Sequence, residues 1–273
     1  MNQSFEKYDR RKFGFIIEDI NSFTNLEKSQ LIDLKNKGYK IYNIVYWLER
    51  FLQRYPVDIL NNSTILNSLL KLNFKDRKYR IKRIGETFLS LFLIFVTLPF
   101  IFISAVLIKL EDRGPIFYCQ KRCGYSGSVF NLYKLRTMDI NAERDGIRWS
   151  SKNDKRITKI GSFLRAIRFD EIPQLFSVLN GDMSLIGPRP ERPEIDKLLI
   201  SEISNYKLRY LVKPGISGWS QVNFPYGASI EDAKTKLSFD IFYIKNHSTV
   251  MDVLIMFKTI RLILNLKGSN PKK

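Results

Sequence analysis

Phe88 to Ile108 (FLSLFLIFVTLPFIFISAVLI) is a run of 21 residues without a charge. As a helix it covers roughly 30 Å, about one hydrocarbon thickness. A soluble core helix rarely runs that far without an ionisable side chain, and the segment lies too far from the N-terminus to be a cleaved leader. The sequence therefore predicts a membrane-inserted helix over 88–108. Lys71 to Arg83 before it holds seven Lys/Arg and one Asp, and Lys109, Arg113, Lys121 and Arg122 follow it. Basic flanks on both sides favour keeping both ends in the cytoplasm. Pro99, near the centre, removes a backbone hydrogen bond and kinks a helix. A re-entrant, bent helix satisfies both features, with residues 71–87 as a basic juxtamembrane segment that attracts anionic lipid. A simple span is the alternative, and it would put the N-terminal unit outside the cell.

What else the chain holds narrows its chemistry. A net charge of +18 favours a polyanionic partner: nucleic acid, an anionic bilayer or a phosphorylated substrate. Few aromatics interleave with the basic runs, so no nucleic-acid partner is expected. Two cysteines, Cys119 and Cys123, make no disulfide framework, and no further ligand nearby completes a tetrahedral zinc site. One histidine, His247, leaves little room for a Ser-His or Cys-His device and reads as an ordinary loop residue. Catalysis, if any, rests on carboxylates, lysines, arginines and an oxygen-bound metal.

Local patterns divide the chain. Residues 1–70 read as a small αβ unit, with strands at Phe13–Ile17 and Tyr39–Val45. Between them lies a helix from a capping box at Thr24–Glu27 to Gly38, and a second helix runs from Trp47 to Tyr55. No G-x-G-x-x-G loop accompanies it. Beyond the apolar run, residues 109–273 form a further region. Pro115–Arg122 and Val129–Met138 flank a Gly/Ser turn and predict a hairpin. Helices are expected near Arg156–Arg165, Glu171–Leu179, Ile195–Leu211, Ala233–Lys245 and Asp252–Leu266, with turns in Lys213–Asn223. The last helix is apolar but carries Lys258 and Arg261, which suits packing on the core or lying at a membrane surface. The fold class is α+β and helix-rich.

Asp170 and Glu171 stand together in RFDEIPQLFSVLNGDMSLIGPRPE, Arg168 to Glu191. Their plain reading is a helix start: Asp170 as N-cap, Glu171 in the first turn and Pro173 just inside. Arg165 and Arg168 argue for more, since cations gain little at a helix N-terminus unless an anion visits. Gly187-Pro-Arg-Pro190 presents Arg189 from a stiff backbone suited to bidentate phosphate contact. Lys134 and Arg136, on the hairpin, could complete a cationic pocket. A carboxylate beside a phosphate holds Mg²⁺ or attacks phosphorus. Adjacent side chains diverge, so a division of labour is expected.

The run R-x-T-x-I-G-x-F-L-R…DEIPQL…VLNGDMSLIGPRPE (Arg156 to Glu191) resembles the core signature of the bacterial sugar transferases, the polyprenyl-phosphate phosphoglycosyltransferases that begin exopolysaccharide, capsule or O-antigen assembly. The similarity extends back through GPIFYCQKRCGYSGSVFNLYKLRTM (Gly114 to Met138) and the membrane segment. It continues forward through KPGISGWSQVN and FDIFYIKN, covering residues 77 to 266.

The resemblance implies transfer of a sugar-1-phosphate from a UDP-sugar to undecaprenyl phosphate, with UMP released. It implies Asp170 as the covalent nucleophile and Glu171 as the Mg²⁺ ligand. Lys134 joins the catalytic set, and Arg165, Arg189, Arg136 and Arg168 handle phosphate. Pro99 matches the break of a re-entrant helix, with the catalytic region on the cytoplasmic face of the bacterial inner membrane and in contact with its lipid. Arg168-Phe169 stands where many relatives have Ser-Leu. The KPGISGWSQVNFPYGAS pattern is similar to the exopolysaccharide branch, whose donors are often UDP-glucose or UDP-galactose. Residues 1–70 resemble only the last part of a nucleotide-sugar-binding-like domain of larger relatives, without the membrane helices that precede it there. A structural role, or a surface for homo-oligomers, is expected of them. The competing reading is a non-enzymatic, membrane-anchored basic protein. It explains the charge and the apolar run but gives no role to Asp170, Glu171 or the GPRP turn.

Overall fold

The computed structural model describes residues 14–56, 63–70, 77–142, 154–224, 227 and 229–265. Lys71–Asp76 of the basic patch, most of the loop after Asp139, and the residues beyond 265 lie outside the described residues. The chain forms two compact units, Met1–Tyr55 and Pro56–Lys273.

In the first unit, β1 (Gly14–Ile17) pairs in parallel with β2 (Lys40–Asn43) across α1 (Asn25–Asn36). Both halves of the expected capping box form: the Thr24 hydroxyl accepts from the Glu27 amide, and Glu27 accepts from the Thr24 amide at 2.8 Å. The second helix begins earlier than its sequence suggests, as α2 (Ile44–Trp47), and widens into a π-turn at Leu48–Leu52.

The second unit opens with α3 (Ser63–Leu70) and then α4 (Arg77–Asp112), a helix of 36 residues, about 54 Å at 1.5 Å per residue. It runs unbroken through Pro99. Ser90, Ser104 and Ile108 are buried on one face, whereas Phe88, Phe95 and Phe102 are 70%, 78% and 70% exposed. By length and composition this helix is apolar enough to cross a membrane.

Both polar ends of α4 are fastened to the same unit. At the N-terminal end, Lys82 reaches Asp252 at 3.1 Å, Arg83 donates to the carbonyls of Val178 and Leu179, and Glu86 accepts from the Leu185 amide at 3.0 Å. At the C-terminal end, Glu111 accepts from the Lys159 amide at 2.8 Å and Asp112 pairs with Arg136. Lys82 and Arg83 are thus internal ties, although the sequence reading had placed them in a lipid-attracting patch.

The hairpin appears as β3 (Phe117–Cys123) and β4 (Val129–Leu135), antiparallel with Phe117 opposite Leu135. Then follow α5 (Lys159–Ala166), α6 (Gln174–Asn180), β5 (Ser184–Ile186), α7 (Pro193–Glu202), β6 (Gly215–Ser217), α8 (Trp219–Asn223), α9 (Ile230–Lys245) and α10 (Thr249–Leu264). β6 and the short α8 fall within Lys213–Asn223, where the sequence predicts turns, and β5, its parallel partner, lies in a stretch for which no element is expected. The expected helix at Ile195–Leu211 ends at Glu202, and a 3-10 turn at Tyr206–Leu211 follows left-handed Asn205. Ile108, Leu135 and Leu164 form one apolar cluster joining α4, β4 and α5. Phe130, Leu132, Val178 and Met183 form another beneath α6.

Candidate active site

Three short elements deliver the site. The first is α5, whose N-terminus is capped by Thr158, with a hydroxyl accepting from the Gly161 amide at 2.9 Å, and by Glu111 of α4. Gly161 is obligatory here, because a Cβ would lie 2.1 Å from the Thr137 carbonyl oxygen. At its C-terminal end, Arg168 takes a left-handed conformation (φ 58°, ψ 20°) that stops the helix and turns Phe169–Glu171 into a single 3-10 turn. Asp170 therefore caps no helix: α6 begins after Pro173, and the N-cap expectation fails.

The second element is β4, which carries Lys134 into the site. The third is the turn after β5. Pairing of β5 with β6 brings Gly187 against the 213–215 backbone, where a Cβ would meet the Lys213 carbonyl oxygen at 2.4 Å. Arg209 fixes the Arg189 backbone by donating to its carbonyl at 2.7 Å. It also pairs with Asp240, 1% exposed, at 3.1 Å.

Asp170 and Glu171 are 7% and 8% exposed. Glu171 Oε1 accepts from Lys134 Nζ at 3.0 Å and Arg189 Nη2 at 2.6 Å. Its Oε2 has only long contacts, 3.4 Å to Arg189 and 3.5 Å to Arg168. Burial alone would raise the Glu171 carboxyl, but Arg189, Lys134 and Arg168 hold it well below the usual carboxylate range. Asp170 differs. Among the described residues no hydrogen bond or ion pair engages its carboxylate. Burial, then the neighbouring Glu171 charge, pushes it up to about 6 against the pull of Lys134, Arg165 and Arg168. Burial lowers the Lys134 ammonium, with the Glu171 charge opposing. One carboxylate is thus held by cations, chiefly through Oε1, and the other is buried, unusually basic and without a partner among the described residues.

The structure gathers Lys134, Arg168 and Arg189 directly on Glu171. Arg165 stands nearby, its Nε on Thr137 Oγ1 at 2.8 Å and its charge felt by Asp170. Arg136 is not brought to the pair. It is buried against Gly114, where a Cβ would lie 1.9 Å from its guanidinium, and it binds Asp112. Pro99 lies on the exposed part of α4, outside this cluster. His247 is no ordinary loop residue: it stacks on Tyr79 at 4.9 Å, with Lys82 Nζ 3.2 Å and Asp252 3.4 Å away.

Sequence reasoning passed over Arg122, Gln174, Arg209 and Asp240. Gln174 lies one helical turn beyond Glu171, a spacing that could have pointed to it. Arg209 and Asp240 carry no such local signal.

The donor set suits a hard cation. Mg²⁺ takes one or two carboxylates and completes its shell with water and phosphate oxygens. Glu171 is such a carboxylate, its Oε2 is the weakly engaged oxygen, and no group of three His, Cys, Asp or Glu gathers among the described residues to form a protein-only cage.

Comparison with known proteins places this geometry. Residues 77–266 match the model of the family described as bacterial sugar transferase. The chain is 47% identical over 171 residues to a UDP-N-acetylgalactosamine-undecaprenyl-phosphate N-acetylgalactosaminephosphotransferase of Aeromonas hydrophila, covering 63% of this chain and 40% of that protein. It is 38% identical over 186 residues to an undecaprenyl-phosphate glucose phosphotransferase of Komagataeibacter xylinus, covering 66% of this chain and 35% of that one. A match to an uncharacterized sugar transferase of Haemophilus influenzae, 33% identical over 275 residues, takes in 89% of this chain and 55% of the relative. The chain spans between about a third and just over half the length of these relatives. Since the matched region holds α4, the hairpin, the Asp170-Glu171 turn and Arg189 in one stretch, the chain belongs to the bacterial sugar transferase family.

Proposed function

We propose that this chain transfers a sugar-1-phosphate from a UDP-sugar to undecaprenyl phosphate at the cytoplasmic face of a bacterial inner membrane, releasing UMP. The observation that carries the reading is the inequality of the two carboxylates. Asp170 is buried, engaged by no hydrogen bond or ion pair among the described residues and raised to about 6, so it is ionised at neutral pH yet more basic than an ordinary aspartate. That combination suits an oxygen nucleophile. An Asp170 oxygen bonds to the sugar-bearing phosphorus, the bond from that phosphorus to UMP breaks, and UMP departs with the electron pair. An oxygen of the lipid phosphate dianion then bonds to the same phosphorus, and the Asp170 carboxylate is regenerated. Neither step needs a proton.

Glu171 holds Lys134, Arg168 and Arg189 in place around the reacting phosphate. These fixed cations meet the charge that develops on the transferring group without reorganising. Bound through Glu171, Mg²⁺ would supply further neutralisation of phosphate oxygens. The acceptor's lipid tail would approach along α4, because Phe169, next to Asp170, packs on the cluster that contains Ile108 of α4. Support for both ends of α4 on one side of the bilayer comes from their ties: Lys82, Arg83, Glu86, Glu111 and Asp112 all bind the second unit. Relatives named for N-acetylgalactosamine and for glucose match in the same region, so the sugar itself is left to experiment.

Incubation with donor alone tests the reading. Intact-protein and peptide mass spectrometry should find a sugar-phosphate adduct on the peptide carrying Asp170, with one equivalent of UMP released. Turnover with no adduct, or UMP release undiminished in Asp170→Asn, would remove Asp170 from the mechanism.

A further inference from the structure

Beside the carboxylate pair lies a small, open cleft lined by Arg122, Leu132, Lys134, Gln174, Arg189 and Pro190. Its chemistry is one-sided. Three cations and an amide face it, and no acidic side chain lines it. Gln174 is 1% exposed, and its Nε2 is buried with no hydrogen-bond partner. A buried N–H₂ without an acceptor is costly, and native structures retain one where a ligand completes it. Arg122 is held in place by its own bonds, donating to the Pro190 carbonyl and to Gln120 Oε1. Lys134 and Arg189 serve both places, since each also binds Glu171. An anion in the cleft would thus sit one phosphate away from the group reacting at Asp170.

We infer that Gln174 and Arg122 complete a monophosphate seat occupied first by the phosphate of the departing nucleotide and then by the phosphate of the incoming lipid. The inference rests on the reaction proposed above. In-line displacement puts attacking and leaving oxygens on opposite sides of phosphorus. Asp170 attacks opposite UMP. The lipid phosphate must then attack opposite Asp170, in the place UMP has left. One seat serves two partners that share only a phosphate monoester, so its lining should read phosphate and nothing of the uridine or the lipid. Cations and one amide donor fit that requirement.

The test uses the full chain in lipid nanodiscs, with UMP binding measured by calorimetry and acceptor kinetics by UMP release. Gln174→Met keeps the volume and removes the donor; Gln174→Glu keeps the shape and adds a charge that repels phosphate; Arg122→Gln removes a cation on the opposite wall. Thermal unfolding checks each fold, and the three variants back one another if one fails to fold. The Kd for UMP and the KM for the lipid phosphate should rise together, about tenfold in Gln174→Met and more in Gln174→Glu, as expected for loss of a hydrogen bond to a charged group. Asp170→Asn should bind UMP no more weakly than the parent protein, which separates the seat from the covalent step. An unchanged UMP Kd in folded Gln174 variants overturns the seat. A raised UMP Kd with unchanged acceptor KM overturns its sharing. Failure of the parent chain to bind UMP at all would instead strike the proposed reaction.

Discussion

The two units of this chain manage polar groups in opposite ways. Between Gly14 and Tyr55, α1 buries none of its residues, and Ile16, Ile20, Leu26, Ile32 and Phe51 stay at least 47% exposed around a small core of Ile17, Tyr39, Val45, Leu48 and Tyr55. In the second unit the interior holds Asp170, Glu171, Gln174, Arg209 and Asp240. Charge burial costs several kcal/mol per ion unless it is answered by partners. A fold that concentrates the cost in one unit does so where those groups are needed. The comparison says where chemistry resides: the first unit carries local structure, and the second carries stored electrostatic work.

The sharpest way to break that contrast is at its centre. Asp170→Asn should lower UMP release at least about a thousandfold, as expected for a lost nucleophile. It should also raise the melting temperature at neutral pH. The sign follows from the raised folded-state value: the ionised form is disfavoured by folding, so stability falls as pH rises through about 6, and a neutral amide escapes the penalty. A fall in melting temperature would mean that the Asp170 charge is structurally satisfied.

Next in size is the buried pair behind Arg189. Asp240→Ala leaves the Arg209 guanidinium without its counter-ion and should cost about 3–5 kcal/mol, seen by thermal unfolding of the second unit. In the first unit, Leu48→Ala should cost about 2–5 kcal/mol locally, because Leu48 is 3% exposed, yet leave UMP release unchanged. Hydrogen exchange would locate the loosening. A comparable loss of activity would merge the two units functionally.

Smaller effects refine the picture. The acid limb of kcat/KM should fall with an apparent pKa of about 6. Arg168→Gln should move that limb upward, because the Arg168 charge is among those that lower the Asp170 value. Thr24→Ala should remove a cap worth about 1 kcal/mol in the first unit, with no change in the pH profile.

What the sequence disclosed and what it hid follow one rule. The apolar helix, the hairpin, the capping box at Thr24 and the helix stop at Gly181 are written in residues a few positions apart, and all appear. Asp170, Glu171, Lys134 and Arg189 were singled out because a motif holds them. The structure adds that, of the two adjacent carboxylates, Glu171 is the one ion-paired among the described residues. The strands β5 and β6 are three residues each, too short to show an alternation, and they form because Gly187 and Gly215 let two backbones touch. The fates of Lys82, Arg136 and His247 were invisible for another reason. Each is decided by a partner 24 to 165 positions away, and an ionisable residue looks the same in sequence whether it faces water or its counter-ion.

The ties at the two ends of α4 have a consequence for how the protein is made. Glu86 leaves the ribosome 98 residues ahead of Ser184, its partner, and Lys82 leaves 165 ahead of His247. At roughly 5–20 residues per second, the first of these gaps lasts on the order of 5–20 s. During that interval Lys82 and Glu86 are without the partners they hold in the folded unit. On the reading proposed above, in which both ends of α4 stay on one side of a bilayer, hydration of these charged shoulders would have to keep them there until the body that grips them has been synthesised.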